Sequence, residues 1–334
     1  MITEEALNRA VGQVLKAKFR LGLFEHPYMD ESEADRWNAC AEHRALAYEA
    51  ACRSMVLLKN EHQTLPLSRE VKRIALIGQD AAESADVAVV VAGIEEGEFR
   101  DRGYLTLPGR QEELIRRVAA TGKPVVVVLI GGSAIVMSEW LDQVPAVLNA
   151  WYPGEDGGDA VADILLGDAN PSGKLPITYP IDEAQLPLNY SHKPTGRSDD
   201  YLNLTGEPLF SFGYGLSYCD FAYRDLKVQP AGKHTYRVSF SVQNQGKYKA
   251  YEVPQLYIRD KVASVTQPIT RLIHYQPVAL NPGETKEVSF LVDEDDLSML
   301  NQSMQRVVEP GDFRLMIGRS CKDIRLQEVI RVEE

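Results

Sequence analysis

The sequence contains little of what builds cysteine-based sites or membrane spans. Its 334 residues include four cysteines, Cys40, Cys52, Cys219 and Cys321, which lie far apart and form no CxxC pair. We therefore expect free thiols in the core, with no disulfide framework and no zinc site. The apolar runs are short, and the longest, around residues 124–130, is far below the roughly 20 residues that a membrane-spanning helix needs.

Basic residues are outnumbered by acidic ones. Lys and Arg total 36 against 48 for Asp and Glu, which gives a formal net charge of −12. Nucleic acids and anionic membrane surfaces are themselves negative, so this balance disfavours both as partners. Hydrophobic residues make up 44% and charged residues 25% of the chain, as in ordinary globular proteins. The length predicts about two domains.

The first part of the chain has a helical pattern. A helix is predicted over residues 2–21, with Thr3 as its N-cap, apolar residues at helical spacing and Gly22 at its end. Because Met1 leads directly into this amphipathic pattern, no signal peptide is predicted. A second helix is predicted over about residues 32–57. An amphipathic helix cannot cover its own apolar stripe, so we expect the first helix to dock on another surface.

From residue 73 onward, short apolar runs alternate with helical patterns. Strands are predicted at residues 74–77, 87–92, 125–130 and 146–150, and helices at residues 111–121 and 158–166. This alternation indicates an α/β domain with a mostly parallel sheet. Only residues 78–86 separate the first two strands, whereas a parallel crossover usually takes a dozen or more residues. Either these strands are not parallel neighbours, or a part of the domain is missing here.

After about residue 220 the pattern becomes all-β. Strands are predicted at residues 236–242, 252–259, 285–292 and 313–317, separated by turn sequences rich in Asn, Pro and Gly. Several short strands over little more than a hundred residues indicate a small sandwich of immunoglobulin-like or fibronectin-like build.

The densest group of candidate catalytic side chains follows the strand at residues 87–92. The segment 93–102 carries Glu95, Glu96 and Glu98 together with two arginines and an aspartate. Loops at the carboxyl ends of parallel strands hold the sites of α/β proteins, and burial or neighbouring like charge raises the pKa of a carboxyl toward that of a general acid. The same composition is typical of a solvated loop, and the pattern alone leaves both interpretations open.

Two further residues are weaker candidates. Ser133, in Gly-Gly-Ser-Ala, resembles a nucleophile elbow but lacks the closing glycine, and no histidine follows at a suitable triad position. A serine hydrolase is therefore a minor alternative. His192 lies in a polar loop, where it is either a sugar contact or an ordinary loop histidine.

Five longer segments resemble glycoside hydrolase family 3. They are MVLLKN at residues 55–60, LTLPGRQ at 105–111, WYPGEDGG at 151–158, GDANPSGKLP at 167–176 and FGYGLSY at 212–218. The resemblance covers nearly the whole chain and is greatest to the bacterial β-glucosidases. It implies an α/β sandwich domain with a mostly parallel sheet, followed by an all-β fibronectin type III-like sandwich.

The resemblance also implies a domain order with parts missing. Family members begin with a TIM-type barrel that carries the nucleophilic aspartate, and residues 1–29 resemble the last helix of that barrel. Residues 30–72 are then a helical linker, residues 73–219 the α/β domain and residues 220–334 the fibronectin type III-like domain. The family carries a long stretch of α/β domain that is absent between residues 78 and 81. We therefore expect the C-terminal part of an enzyme, with the nucleophile outside this chain and the chain inactive by itself.

By the resemblance, Glu98 occupies the position of the general acid/base, with Glu96 as the alternative, and Arg102 and His192 are predicted substrate contacts. The implied reaction is retaining hydrolysis of terminal non-reducing β-D-glycosyl residues in oligosaccharides or glycosides, without cofactor or metal. The implied partner is a barrel domain or partner subunit, or a second copy in a homo-oligomer, and the parent protein would be soluble and periplasmic or secreted. The rival function is a non-catalytic carbohydrate-binding or scaffold module.

Overall fold

The computed structural model describes residues 2–38, 40–76, 79–196 and 199–333. The chain divides into two compact units, Met1–Ala47 and Tyr48–Glu334. The α/β region and the all-β region both belong to the second unit.

The first unit is helical. It contains α1 (Glu4–Arg20), α2 (Ser32–Trp37) and the first half of α3 (Ala41–Ser54). Thr3 is the N-cap of α1, as predicted, because its hydroxyl accepts a hydrogen bond of 3.2 Å from the amide of Ala6. No residue of α1 is buried. The apolar stripe that was expected to dock is therefore open to solvent, and Leu7, Val14 and Phe19 are all more than half exposed.

The single helix expected over residues 32–57 is wrong. Asn38 has an extended backbone between α2 and α3, and α3 ends at Ser54. Residues 56–60 form strand β1 (Val56–Asn60) instead. Met55 and the first three residues of β1 are at most 1% exposed, and a fully buried apolar run has no amphipathic period that separates helix from strand.

The α/β region is built around one five-stranded sheet. Its other strands are β2 (Ile74–Leu76), β3 (Val87–Gly93), β4 (Val125–Ile130) and β5 (Ala146–Trp151), in the order β1-β5-β4-β3-β2. All neighbours are parallel except β1 and β5. The predicted mostly parallel sheet is therefore confirmed.

Helices cover both faces of this sheet. The remaining helices here are α4 (Gln79–Glu83), α5 (Gln111–Ala119) and α6 (Gly157–Leu166). Ile115 and Val118 of α5 belong to the core on one face, and Ile164 of α6 belongs to the core on the other, together with Ala51 of α3. The continuous valine runs of β3 and β4 supply side chains to both cores, as strands covered on both faces do.

The short connection between β2 and β3 is a true parallel crossover. Ile74 pairs with Val87 and Leu76 pairs with Val89, so the two strands are parallel neighbours, which excludes the first of the two alternatives. Helix α4 lies within the connection. Gly78, where the family stretch was expected to be missing, lies outside the described residues. Leu76 on this edge strand is 67% exposed.

The all-β region is a sandwich with a single core. The elements are β6 (Phe221–Gly232), β7 (Thr235–Asn244), β8 (Ala250–Glu252), β9 (Gln255–Asp260), β10 (Arg271–Tyr275), β11 (Val278–Leu280), β12 (Thr285–Val292), α7 (Glu294–Leu297), β13 (Met299–Leu300), β14 (Arg306–Val307), β15 (Gly311–Gly318) and β16 (Ile324–Val332). The strands form a four-stranded sheet β10-β9-β15-β16, a three-stranded sheet β12-β7-β6 and two small ladders, β11-β8 and β13-β14. Side chains from both larger sheets, such as Phe240 and Leu315, meet in one hydrophobic cluster.

Buried polar groups join the sandwich to the α/β region. The Gln255 amide donates to the carbonyl oxygens of Gly213 at 3.0 Å and Arg319 at 2.6 Å. Glu252, only 1% exposed, lies with one carboxylate oxygen 3.4 Å from Lys174 Nζ and the other 3.7 Å from Arg319 Nε. Burial lowers the pKa of the Lys174 ammonium, although the charge of Glu252 acts in the opposite direction. A carboxylate between two cations therefore lies inside this junction.

All four cysteines are free thiols, as expected. The expectation that they lie in the core holds only for Cys219, since the other three are partly exposed.

Candidate active site

The loop that carries the three glutamates is fixed where it leaves β3. The Gly93 amide donates to Gln111 Oε1 at 2.7 Å, and its carbonyl accepts from Gln111 Nε2 at 2.9 Å. A β-carbon at position 93 would lie 2.1 Å from the carbonyl oxygen of Ile130. Glycine is needed here because the ends of β3 and β4 approach so closely.

Glu96 is held by donors from its own loop and from the loop after β4. Its Oε1 accepts from Arg102 Nε at 2.9 Å and from the Ser133 hydroxyl, and its Oε2 accepts from the Gly132 amide at 3.1 Å. Burial by itself raises the pKa of Glu96, but the hydrogen bonds from Ser133 and Arg102, the charge of Arg102 and the Gly132 amide together bring it below the ordinary value. Glu96 is therefore a stabilised carboxylate.

Arg102 connects the loop to the neighbouring strand end. Besides Glu96, its guanidinium donates to the Ser133 hydroxyl at 2.6 Å and to the carbonyl oxygens of Ala134 at 3.0 Å and Thr106 at 3.3 Å. Its side chain is only 15% exposed. Most of its donors are therefore committed to the protein.

Tyr152, just after β5, adds a third strand end to this arrangement. The Glu96 amide donates to the Tyr152 hydroxyl at 3.1 Å, and that hydroxyl lies 3.3 Å from the carbonyl oxygen of Ile94. The loops after β3, β4 and β5 thus meet at the carboxyl edge of the sheet, which is where α/β proteins place their sites.

Glu98 lies on the same loop as Glu96 but in a different environment. It follows Glu96 by two residues in a turn in which the Arg100 amide donates to the Gly97 carbonyl at 2.9 Å. Its side chain is exposed and has no hydrogen bond or ion pair with any described residue. Phe99 beside it is 92% exposed. Glu98 is thus a carboxyl on an exposed turn, with no partner in the part of the chain that the structure describes.

The structure brings together only some of the residues singled out from the sequence. Glu96, Arg102 and Ser133 form one cluster, whereas His192 bonds to the Lys193 carbonyl at 3.0 Å and lies 3.8 Å from Asp199. The His192 carbonyl accepts a hydrogen bond from Ile269 of the β-sandwich, so this histidine belongs to a different part of the molecule. Ser133 is bonded to a carboxylate and a guanidinium rather than to an imidazole, which removes the support for a serine hydrolase.

The sequence does not predict which groups bind Glu96. It suggests Ser133 only as a nucleophile and Arg102 only as a substrate contact, and Gly132 and Tyr152 occur only within the Gly-Gly-Ser-Ala and WYPGEDGG segments. A usable signal exists, because both positions follow strands that the sequence predicts to be parallel, and the carboxyl ends of parallel strands share one edge of the sheet.

Within residues 2–38, 40–76, 79–196 and 199–333, no His, Cys, Asp and Glu side chains form a group of three that could hold a metal ion. No helix in the same part of the chain is both long and apolar enough to cross a membrane.

Comparison with known proteins identifies this domain. Residues 79–218, which include the strand-end loops just described, match the model of the glycosyl hydrolase family 3 C-terminal domain. The chain belongs to glycosyl hydrolase family 3. Residues 252–321 match a fibronectin type III-like domain, which confirms the expected build of the sandwich.

Family 3 relatives are similar over almost all of this chain. A β-xylosidase of Formosa agariphila is 34% identical over 97% of this chain and 55% of its own length. A periplasmic β-glucosidase of Salmonella typhimurium is 32% identical over 95% and 54%. The structure of a Listeria innocua β-glucosidase in complex with glucose matches with a TM-score of 0.90 at 29% identity, over 100% of this chain and 55% of the other.

The family 3 chain described here spans about half the length of the curated relatives that it matches. The alignment with the Formosa β-xylosidase extends over 397 residues, more than the 334 of this chain. The aligned part of that relative therefore contains segments with no counterpart here.

Proposed function

We propose that this chain supplies the general acid/base of a retaining family 3 β-glycosidase, and that Glu98 is that group. The observation that carries the proposal is the contrast between two glutamates on one loop. Glu96 is bound by Arg102, Ser133 and the Gly132 amide, whereas Glu98 projects from the loop without a partner among the described residues.

A general acid must hold a proton until the leaving group needs it. The lowered pKa of Glu96 works against that role, since its donors stabilise the charged form. We infer instead that Glu96 and Arg102 position the loop, and that Arg102 acts through Glu96 rather than on the sugar. Glu98 has no such constraint and lies on the part of the loop that a substrate or a second domain can reach.

The proposed reaction needs a second carboxylate, supplied by a barrel domain or partner subunit beyond the residues of this chain. That carboxylate forms a bond to the anomeric carbon while the glycosidic C–O bond breaks, and Glu98 gives its proton to the leaving oxygen. Glu98 then takes a proton from the water that hydrolyses the glycosyl-enzyme. In retaining enzymes the two carboxyl groups lie about 5–5.5 Å apart.

The substrate class is inferred from the relatives. Their names describe β-glucosidases and β-xylosidases, and solved β-glucosidase structures contain glucose and laminaribiose. We propose a terminal non-reducing β-D-glucosyl or β-D-xylosyl residue as the group transferred. One relative is described as periplasmic, which supports a periplasmic or secreted parent protein.

The test restores a nucleophile. A barrel domain from one of the relatives is fused to this chain or added to it, and Glu98→Gln is compared with Glu96→Gln and with Glu95→Gln. The last is the matched control, because Glu95 is exposed on the same loop and, within the described part of the chain, pairs only with exposed Arg100. We expect Glu98→Gln to slow hydrolysis of substrates with poor leaving groups by about 10²–10⁴-fold.

With an activated aryl glycoside, Glu98→Gln should still form the glycosyl-enzyme, which then accumulates, and azide should restore turnover because it needs no general base. The chain without the barrel is the blank and should not hydrolyse nitrophenyl β-glycosides. Leaving-group dependence and azide rescue in Glu96→Gln alone would transfer the role to Glu96. If the complex binds a β-glycoside while none of the three variants changes turnover, the rival role of a non-catalytic module is favoured.

A further inference from the structure

A cavity lies between the α/β region and the β-sandwich, away from the β3 loop cluster. Its volume is about 330 Å³, which lies at the lower end of the range for small-molecule sites. One wall contains residues of the segment 188–192. The other contains residues on the outer face of β9 and β15. The lining residues include Asn189, Tyr190, His192, Arg259, Thr270 and Arg314.

Two arginines of this wall lie directly opposite each other. Arg259 of β9 and Arg314 of β15 are cross-strand partners in the antiparallel ladder, and the β-carbons of such partners lie about 4.5–5.5 Å apart. Both side chains are partly buried. Neither has a hydrogen bond or an ion pair with any described residue. Like charges in this position destabilise a sheet, and partly desolvated arginines are ordinarily paired.

The carboxylates around the cavity are engaged elsewhere. Glu207 pairs with Lys322 at 2.8 Å. Asp199 accepts from the Thr195 hydroxyl at 3.0 Å, and Asp200 accepts from the amide of Gly206 at 2.9 Å. Among the described residues none of these carboxylates forms an ion pair with Arg259 or Arg314, so both guanidinium groups are available to an anion that enters the cavity.

We propose that this cavity binds the carboxylate of an acidic sugar, a hexuronic acid, through Arg259 and Arg314. The planar guanidinium matches a carboxylate in two parallel hydrogen bonds, and one carboxylate between two arginines removes their mutual repulsion. The site also has groups that suit sugar hydroxyls. The Thr270 hydroxyl is buried and has no hydrogen-bond partner among the described residues, and Asn189 and His192 line the same cavity.

The surroundings favour a singly charged ligand over a phosphate. Asp199 and Asp200 line the same cavity and repel a dianion more than a monoanion. Tyr190 adds an apolar surface, since its ring stacks on Phe212 with centroids 4.0 Å apart. The predicted sugar contact of His192 then belongs to this second site. The proposal does not depend on the role of Glu98, because the two sites share no residue.

Calorimetric titration of the full chain tests the site with three probes: D-glucuronate, D-glucose and inorganic phosphate. We expect D-glucuronate to bind at least tenfold more tightly than D-glucose and than phosphate. Arg259→Gln and Arg314→Gln should each weaken D-glucuronate binding on the order of tenfold to a hundredfold, as the loss of a charged hydrogen bond does. Arg237→Gln is the control, because Arg237 is exposed on β7 and has no ion pair among the described residues.

Thermal unfolding provides a readout that a folding defect cannot imitate. Without ligand, Arg314→Gln should melt no lower than the wild type because a like-charge pair is relieved, yet D-glucuronate should no longer raise its melting temperature. The proposal is overturned if D-glucuronate binds no better than D-glucose, or if phosphate binds as tightly. It is also overturned if Arg237→Gln weakens binding as much as the two cavity variants, or if neither cavity variant weakens it.

Discussion

At the scale of single residues, Arg102 determines how the β3 loop is held. It contributes the charged partner of Glu96 and a donor to the Ala134 carbonyl, and both side chains of the ion pair are at least four-fifths buried. Replacing it with leucine leaves a desolvated carboxylate without a counter-charge. Such losses cost about 3–5 kcal/mol at fully buried sites, and we expect about 2–3 kcal/mol here.

Urea unfolding of Arg102→Leu measures this loss. The control is Arg100→Leu, whose ion pair with Glu95 is exposed and should contribute less than about 1 kcal/mol. Equal losses in the two variants would mean that Arg102 does not anchor the loop.

Glu96 should make the stability of the chain depend on pH. Its pKa in the folded state lies below the ordinary value of 4.5 that it has when unfolded. The unfolded chain therefore binds this proton first as the pH falls. The contribution of Glu96 is complete above the unfolded pKa and is lost as the pH falls through the folded pKa.

We therefore expect the unfolding free energy of the wild type to fall more steeply than that of Glu96→Gln as the pH falls through the ordinary value of 4.5 and below it. Urea unfolding at a series of pH values makes the comparison. Parallel pH profiles would show that the donors around Glu96 do not stabilise its charged form.

At the scale of elements, the junction between the α/β region and the sandwich depends on Glu252. Lys174 and Arg319 lie on either side of this buried carboxylate, and Lys174 also donates to the Gly215 carbonyl at 2.8 Å. Glu252→Leu leaves two buried cations without an anion, and we expect a loss of about 3–5 kcal/mol in unfolding free energy. Chemical denaturation measures it, with exposed Glu287→Leu on β12 as the control. A loss no larger than that of the control contradicts this role.

The elements that were predicted correctly share one property. Strands β4 and β12 have the bounds expected from the sequence, and β3 and α5 differ by one or two residues. Each has a pattern that its own side chains complete: a buried valine run in β3 and β4, alternation in β12 and an amphipathic helical pattern in α5. The predicted helix over residues 32–57 wrongly includes the start of β1, because the burial of MVLL depends on β5, about ninety residues away in the chain, with Leu57 opposite Leu148. A local pattern does not contain that contact.

At the scale of the whole molecule, exposed apolar surface is the main feature to test. In the first unit, α1 presents Leu7, Val14 and Phe19 to solvent, and in the second unit Leu76 is exposed on edge strand β2. Contiguous apolar patches of more than a few hundred Å² usually mark interfaces. We expect the isolated chain to bind a dye specific for apolar surface and to self-associate when no barrel domain or partner subunit is present.

Light scattering after gel filtration and dye fluorescence test this expectation. The double variant Val14→Gln and Phe19→Gln should lower dye binding and association. Val262→Gln should leave both unchanged, although Val262, an apolar residue of the sandwich, is still more exposed. A monomer at high concentration without dye binding would show that these side chains form no interface.

The sequence by itself determined the order of the regions, the mostly parallel sheet and the place of the charged loop. Those features follow from periodicity and from ordered motifs, both of which can be read within a few dozen residues. Only the tertiary structure showed that Glu96 and Glu98 have different environments, since the donors of Glu96 include Gly132 and Ser133 from another strand end. It alone placed Arg259 opposite Arg314, which requires the register of β9 against β15. Hydrogen bonds and charge pairs act over a few ångströms in space. Folding brings together residues that are far apart in the sequence, and the local sequence pattern does not show which of them will be in contact.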